Sequence, residues 1–581
     1  MKKILLVGSL ASLIFVLIFL KDVFININKP LAQREEVTWQ YFIFDNNFKK
    51  LEKLDIQNLY ESRMYYGHKN TVIFGNSLLG QAIIGLPFYL LTKNVILAAN
   101  IVIILEFYLA FLFAYLLTFK ITKSISSSLI GALIFTYNPY VLAHFGGHEQ
   151  MALQWIPFLF LIAEIIISRG PSLKTSLLFF LGFIFLLMSS FNYTFFVLTT
   201  LPVYIAARLI FQKMSSPKHL LSKYLLFFLG LTIIFSLIYL SPFLEVRKNY
   251  QVKRNMVLNI LHSANPEDFI FTSAQNYLWG NLAKQQIYGN LRSEFFKVHW
   301  SEHSLFPGLI ATILLILSLV FLISKKFKRA IKPKVQATFI LLLTAVVLSF
   351  GPYLIIASTK IPLPYMLLYE FAPFVNTTRA PSRFMAVGFL AIALLSAFAW
   401  LNLGKKFKKR ALLFLILALT LITLEYRQQL YTGYLIPRET LSFYSWLKDQ
   451  KEIKIILELP FANDFEGTPY DRSGLDESIY LLYALYHDKY LLNGHHSFIP
   501  LEADKLGKLL AVGFPTQEKL NLLKNLGVDL IIVHKNEYKN ATVLKIVLDR
   551  FNKLGANRIY NSARISAYQI GFRHHPPQKQ K

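Results

Sequence analysis

Five short stretches of the chain gather side chains able to move protons or hold anions. Glu35 and Glu36 are adjacent carboxylates directly before Val37-Thr38-Trp39. An ionised carboxylate within reach of a hydroxyl can act as a general base; the same pair also suits the first turn of a helix. HFGGHEQ (144–150) brings His144, His148 and Glu149 together. Imidazole and carboxylate at this spacing can bind a metal ion or a phosphate-linked sugar. The alternative is an interfacial polar cap on a turn that Gly146 and Gly147 allow.

HWSEH (299–303) flanks Glu302 with His299 and His303, four residues apart and able to share a helix face. It lacks the His-Glu-x-x-His order of zinc proteases. Glu302 therefore reads as a substrate-binding carboxylate or as an interfacial anchor beside Trp300. NTTRAPSRF (376–384) carries Arg379 and Arg383. Arginine grips phosphate through two parallel N–H···O bonds, and Pro381 between the two predicts a turn rather than a regular helix. The competing reading has both arginines snorkelling to lipid phosphates or pairing with a carboxylate such as Glu370. His495 and His496, in NGHHSFIP, read as a metal pair or as an exposed loop.

The elements that must position these groups are membrane spans. Of the 581 residues, 54% are hydrophobic and 16% charged, against roughly 25% charged in a soluble domain. That excludes a soluble enzyme and a disordered chain. The chain has no cysteine, which excludes disulfides, thiolate zinc sites and cysteine nucleophiles. A crossing needs about 20 apolar residues. Eleven segments qualify, near 4–20, 95–118, 127–145, 152–168, 175–190, 192–210, 224–241, 305–324, 336–355, 384–403 and 411–426. No small-residue cleavage site follows Leu20, so the first is read as a span rather than a signal peptide. The stretch 77–91 is short and broken by Gly80, Gly85 and Pro87, and reads as an interfacial or re-entrant helix.

Orientation follows from lysine and arginine. With the N-terminus cytoplasmic, the short loops near 120, 170, 213, 328 and 407 fall inside, are basic and contain no Asp or Glu. They account for most of the net charge of +28, so nucleic acid is not implied as a partner. The long polar segments 21–76, 245–304, 356–383 and 427–581 fall outside, and chemistry belongs there. No Gly-rich phosphate loop follows a strand, so an activated substrate would be a lipid. Glu106 and Glu164 lie within spans and keep a transporter or flippase open, with Glu164 near enough to its span's end to snorkel. The hydropathy shows no duplicated halves, which many transporters have.

Beyond residue 426, EIKIILELP (452–460) and VDLIIVH (528–534) read as buried strands. LEADKLGKLLAV, TQEKLNLLKNLG and NATVLKIVLDRFNKLG read as helices. The predicted architecture is a polytopic α-helical membrane domain over 1–426 and an extracytoplasmic α/β domain over 427–581.

The order of these pieces is similar to the GT-C class of membrane glycosyltransferases. Several stretches resemble one GT39-like bacterial branch of that class: 76–100, TYNPYVLAHFGGHEQMALQWIPF (136–158), SEHSLFPGL (301–309), FVNTTRAPSRFMAV (374–387), NGHHSFIP (493–500) and LKNLGVDLIIVH (523–534). The resemblance implies sugar transfer from a polyprenyl-phosphate donor to a cell-envelope glycan, lipid or protein at the outer face of the cytoplasmic membrane. It implies a first-loop carboxylate as base, Glu35 or Glu36, with Asp45 and Asp55 as substitutes. It also implies an outer-loop carboxylate, Glu149, substrate contacts from His148, Glu302, Arg379 and Arg383, and a divalent ion such as Mg or Mn held by His144, His148 and Glu149. The class commonly places an Asp in the first loop where this chain reads Glu-Glu. That departure favours the alternative of a non-catalytic envelope-assembly protein on the same scaffold.

Overall fold

The computed structural model describes residues 2–31, 38–145, 152–213, 222–252, 256–284, 301–356, 359–371, 378, 380–407, 410–430, 433–461, 477–538 and 540–570. The chain divides into two compact units: residues 1–25, 100–241 and 252–431 in one, and 26–99, 242–251 and 432–581 in the other.

The first unit is a helical bundle. All eleven apolar segments are helical. Among the described residues, seven helices are long and apolar enough to cross a membrane. Trp155–Arg169, Leu173–Ser189, Leu309–Ile323 and Ala411–Tyr426 have 15 to 17 residues, short of the roughly 20 a perpendicular crossing takes. The helix Met385–Phe407 packs against Ile125–Tyr137, Leu309–Ile323 and Lys332–Ser349. The span Pro381–Lys405, which overlaps it, has 94% of its most apolar stretch buried, against 17% for Lys223–Asn249. Its small residues Ala386, Ala391, Ala393, Ala397 and Ala399 are buried and let neighbouring backbones approach. At Gly131 a Cβ would meet Thr118 Oγ1 at 3.0 Å and the Ala393 carbonyl at 3.3 Å, so a larger residue would require its neighbours to give way by a few tenths of an ångström.

Polar side chains punctuate the apolar runs. Ser124 and Ser190 cap the helices that follow them, and Ser172 and Thr175 form a capping box. The run expected as one span at 127–145 is interrupted at Asn138. The Asn138 amide donates to the Phe135 carbonyl (2.7 Å) and its oxygen accepts from Val141 N (3.0 Å), while Pro139 starts a short second helix, Pro139–Ala143. The strands β1 (Tyr353–Ile356) and β2 (Thr359–Pro362) form an antiparallel hairpin.

The intramembrane carboxylates are satisfied internally. Glu164 does not snorkel: it is 1% exposed, and it accepts from Arg208 Nε (2.6 Å) and Tyr204 OH (2.9 Å). Arg208 thus belongs to a buried pair inside the helix Phe191–Gln212 and not to a basic loop. A carboxylate in an apolar bundle demands such a partner. Glu106 accepts from Gln154 Nε2 at 3.4 Å.

The second unit is α/β, and it is larger than the sequence suggested. The C-terminal segment builds a five-stranded sheet from β3 (Ile455–Leu459), β4 (Tyr490–Leu491), β5 (Leu530–His534), β6 (Asn557–Asn561) and β7 (Ile565–Gln569), in the order β4-β3-β5-β7-β6. β4, β3 and β5 are parallel; β7 and β6 are antiparallel additions. One face carries Leu457, Leu459, Ile531, Val533 and Tyr568 against Leu510, Leu523 and Phe551. Residues 26–99, expected as part of the first outer loop, a re-entrant helix and the start of a span of the membrane domain, fall in the same unit as this sheet. Backbone bonds run from Tyr65 N to Asn493 O, Tyr66 N to Leu491 O and Leu491 N to Arg63 O. They satisfy the open edge of β4, which would otherwise present unpaired groups. The helix Leu79–Thr92 has 14 residues, too few to cross a membrane.

Candidate functional site

Three of the chemistry-bearing stretches converge in the helical bundle. The break at Asn138 leads into Tyr140 and His144, both buried. The expected turn at Pro381 is a 3-10 turn, Pro381–Phe384, that runs into Met385–Phe407 and delivers Ser382 and Arg383. Glu302 precedes the helix Leu309–Ile323 and is 2% exposed. Its Oε1 accepts from Arg383 Nε at 2.7 Å and also from Arg383 Nη2. Its Oε2 lies 3.3 Å from His144 Nε2 and accepts from Ser382 Oγ at 3.1 Å. His144 Nδ1 donates to the Tyr140 carbonyl (2.8 Å), and the Tyr140 and Tyr193 hydroxyls lie 3.3 Å apart.

Burial opposes charge on Glu302, but Arg383 and then His144 outweigh it and hold the carboxyl well below the usual carboxylate range. With both oxygens engaged, this Glu302 is a fixed anion and not a proton acceptor. It clamps one edge of the Arg383 guanidinium, whose Nη1 makes no hydrogen bond among the described residues. Arg383 is 4% exposed and its carboxylate partner is Glu302 rather than Glu370.

The neighbouring residue faces a second anchor. His303 Nδ1 donates to Asp268 Oδ2 (2.7 Å) and Nε2 to the Leu261 carbonyl (3.2 Å). Asp268 Oδ2 also accepts from Asn265 N (2.8 Å), and Ser382 N donates to the His262 carbonyl (3.1 Å). The segment 259–270 therefore holds both 301–305 and 380–384 in register. No sequence signal pointed to Asp268 or Tyr193. Tyr140 lies four residues before His144 on one helix face, a spacing that could have found it.

Glu35, Glu36, His148, Glu149, His299 and Arg379 lie outside the described residues. The substitute carboxylates are committed elsewhere, within the α/β unit. Asp45 is buried and accepts from Arg63 Nη2 (2.7 Å) and Lys49 Nζ (3.0 Å). Asp55 pairs with Lys50 at 2.7 Å. His496 is buried, contrary to the exposed-loop reading, and both its nitrogens bind backbone: Nε2 donates to Val72 O (3.0 Å) and Nδ1 accepts from Ser497 N (2.8 Å). Neither is left for a metal. Among the described residues no three His, Asp or Glu side chains converge to hold a metal ion. Glu302 and His144 converge beside a guanidinium that repels a cation, so the described residues do not fit the divalent ion.

The fold is that of GT-C membrane glycosyltransferases. Over 99% of this chain it superposes on the arabinofuranosyltransferase AftD from Mycobacteria, with a TM-score of 0.57 and 14% identity. The match covers 40% of that transferase, so the chain spans about two fifths of its length. The fold is also similar to ArnT from Cupriavidus metallidurans bound to undecaprenyl phosphate, with a TM-score of 0.50, 10% identity and 97% of each chain covered. A comparison with curated protein sequences gives no match. A family profile described as a domain of unknown function, DUF6311, matches residues 10–425, which include the whole Tyr140–His144–Glu302–Arg383 cluster, and the chain belongs to that family.

Proposed function

We propose that this protein transfers a sugar from a polyprenyl-phosphate donor to a cell-envelope glycan, lipid or protein at the outer face of the cytoplasmic membrane. The observation that carries this reading is the buried Arg383–Glu302–His144 cluster within a GT-C fold. Breaking the bond from sugar to lipid phosphate develops negative charge on the phosphate, which preorganised donors must meet. Arg383 is suited to meet it, because Glu302 fixes Nε and Nη2 and the remaining N–H groups at Nη1 are left for phosphate oxygens. Glu302 acts as a positioning residue, since its own oxygens are taken. The proton of the acceptor hydroxyl goes to Glu35, Glu36 or Glu149. Against a transporter, Glu164 is neutralised by Arg208 and Glu106 is engaged by Gln154.

The test incubates the purified protein with a panel of labelled polyprenyl-phosphate sugars and follows release of the lipid phosphate. Release from at least one donor is expected, with loss of about 10²-fold or more when Glu35 and Glu36 are both changed to Gln. No release from any donor would leave the non-catalytic reading. The topology is tested separately: a reporter active only in the cytoplasm, fused after residue 581, is expected to be silent.

A further inference from the structure

The helical unit carries a second charged cluster, at the end of the bundle away from Arg383. The helix Phe191–Gln212 reaches both. Tyr193 stands near its start, beside Tyr140, and Arg208 lies fifteen residues later, about 22 Å along the axis at 1.5 Å per residue. At that far end Arg208 holds Glu164 of the helix Trp155–Arg169, with Nε 2.6 Å and Nη2 3.4 Å from its carboxylate oxygens. Phe191–Gln212 also packs along Lys332–Ser349. The first turn of Lys332–Ser349 is tied in turn to the last turn of Val95–Thr122, since Lys334 Nζ donates to the Ile121 carbonyl at 3.1 Å. Four helix ends, far apart in the sequence, thus meet at one place.

Each of them brings a cation. Val95–Thr122 has Lys120 in its last turn and is followed by Lys123; Trp155–Arg169 ends in Arg169; the other two bring Arg208 and Lys334. Lys120 lies in the field of Arg169, Lys123, Glu164 and Lys334. Lys334 lies in that of Glu164, Arg208 and Lys123. The cluster therefore holds five positive groups and one carboxylate, and that carboxylate is already taken by Arg208 and Tyr204. Among the described residues none of Lys120, Lys123, Arg169 and Lys334 forms an ion pair.

The bias of lysine and arginine towards the cytoplasmic side explains why this end of the bundle is basic. It does not explain why the charges converge, since loops that stay apart satisfy it equally well. Helix C-termini attract cations, which accounts for Lys120 and Arg169, but Lys334 stands in a first turn, where the helix dipole opposes it. Like charges held together cost free energy unless an anion joins them. Lys123 and Arg169 are exposed and Lys334 is half-buried. The group is therefore accessible at the level where the helices end, which is where lipid headgroups lie.

We infer that this end of the bundle is a binding site for the phosphate headgroup of an anionic membrane lipid. Ammonium and guanidinium groups meet phosphate oxygens through charge-assisted hydrogen bonds, and basic pockets between transmembrane helices suit anionic headgroups. Four cations without a carboxylate favour a headgroup with two phosphodiesters over one with a single phosphodiester. A lipid held there bridges the ends of helices that are distant in the chain. The inference does not rest on the transferase reading, and its chemistry is the same in either leaflet.

The test uses the full chain in a neutral detergent and native mass spectrometry to count bound lipid. Cardiolipin is the probe with two phosphodiesters and phosphatidylglycerol the probe with one, the latter at twice the concentration so that total charge is equal. Cardiolipin is expected to be retained fivefold or more over phosphatidylglycerol, and millimolar inorganic phosphate is expected not to displace it. Lys123→Gln with Arg169→Gln removes two exposed cations of the cluster. It is expected to weaken cardiolipin binding tenfold or more, at an unchanged melting temperature in lipid-free detergent. Lys325→Gln with Lys326→Gln removes the same charge from an exposed pair after the helix Leu309–Ile323, outside the cluster, and is expected to bind as the wild type does. The inference is overturned if the two lipids are retained alike at equal charge, or if both double variants lose binding alike, since surface attraction then suffices. Displacement by inorganic phosphate overturns it too, because the site then takes a soluble anion. Where the cluster variant does not fold, the comparison of lipids and phosphate on the wild type decides.

Discussion

Glu302 in the helical unit and Glu458 in the α/β unit are both fully buried carboxylates, each with an imidazole at its Oε2. They differ in the third partner. Glu302 has an arginine at its other oxygen, a group that stays charged at any accessible pH. Glu458 has a tyrosine hydroxyl there. The first carboxylate is part of a permanent ion pair and serves as an anchor. The second is held by hydrogen bonds from groups that carry no permanent charge. One side chain type in one state of burial thus does two jobs, and the neighbour decides which.

The sharpest way to break this contrast is to remove each carboxylate. Glu302→Gln leaves Arg383 buried without a counter-charge, a change that costs about 3–5 kcal/mol in comparable pairs. We expect a large drop in the thermal unfolding midpoint and no donor use. The double change Glu302→Gln with Arg383→Met is expected to recover most of the stability and none of the activity. Glu458→Gln removes an acceptor from a tyrosine hydroxyl and an imidazole, and leaves no guanidinium behind. Its expected cost is smaller, about 1–3 kcal/mol, read in the same unfolding assay. Equal losses at the two sites would collapse the distinction.

Arg383→Lys sharpens the role of the anchor. It keeps the charge and loses the fork, and should weaken donor use by about 1–3 kcal/mol in kcat/KM with expression unchanged. Full activity with lysine would remove the phosphate role.

Acidity separates the units further. Glu302 has a depressed folded value, so its contribution is complete above the ordinary carboxylate range near pH 4.3. It is lost only as pH falls through the lower folded value. His487 is also depressed from its ordinary 6.5, but for a base this means the unfolded chain binds the proton first. Its contribution is complete above pH 6.5 and declines as pH falls below it, by at most about 1.4 kcal/mol per pH unit. Melting between pH 7 and 5 should therefore show a slope that His487→Asn flattens and Glu302→Gln does not. The smallest expected effect is at Asp55, where replacement by Asn should change neither the melting temperature nor donor use, because its pair with Lys50 lies at the surface.

Much of this was legible in the sequence, for different physical reasons. The eleven apolar runs became helices because burial in lipid leaves the backbone no other way to satisfy its polar groups. The turn at Pro381 was readable because proline restricts its neighbour. Three of the chemistry-bearing stretches, represented by His144, Glu302 and Arg383, are the ones that the fold brings together. Their convergence was not readable, since residues 81 positions apart, such as Glu302 and Arg383, meet only through packing. Glu458 and His534 were passed over as parts of apolar strands. The signal was there: one ionisable residue near the carboxyl end of each of two otherwise apolar strands. The fate of Asp45 was hidden because its partner Arg63 sits in a stretch with no periodicity.

The pairing of residues 63–66 with the β4 edge has a consequence for how the chain is made. Arg63 donates to the carbonyl of His487, 424 positions later. The ribosome therefore releases the first half of this sheet edge long before its complement exists, and every apolar helix of the bundle except the first, Lys2–Phe19, is synthesised in between. Until the last strands emerge, residues 26–99 have no sheet to join and must be kept from wrong partners. The α/β unit is therefore completed only after the helices between residues 100 and 431 have been made, and its two sequence-distant parts depend on each other for their backbone partners.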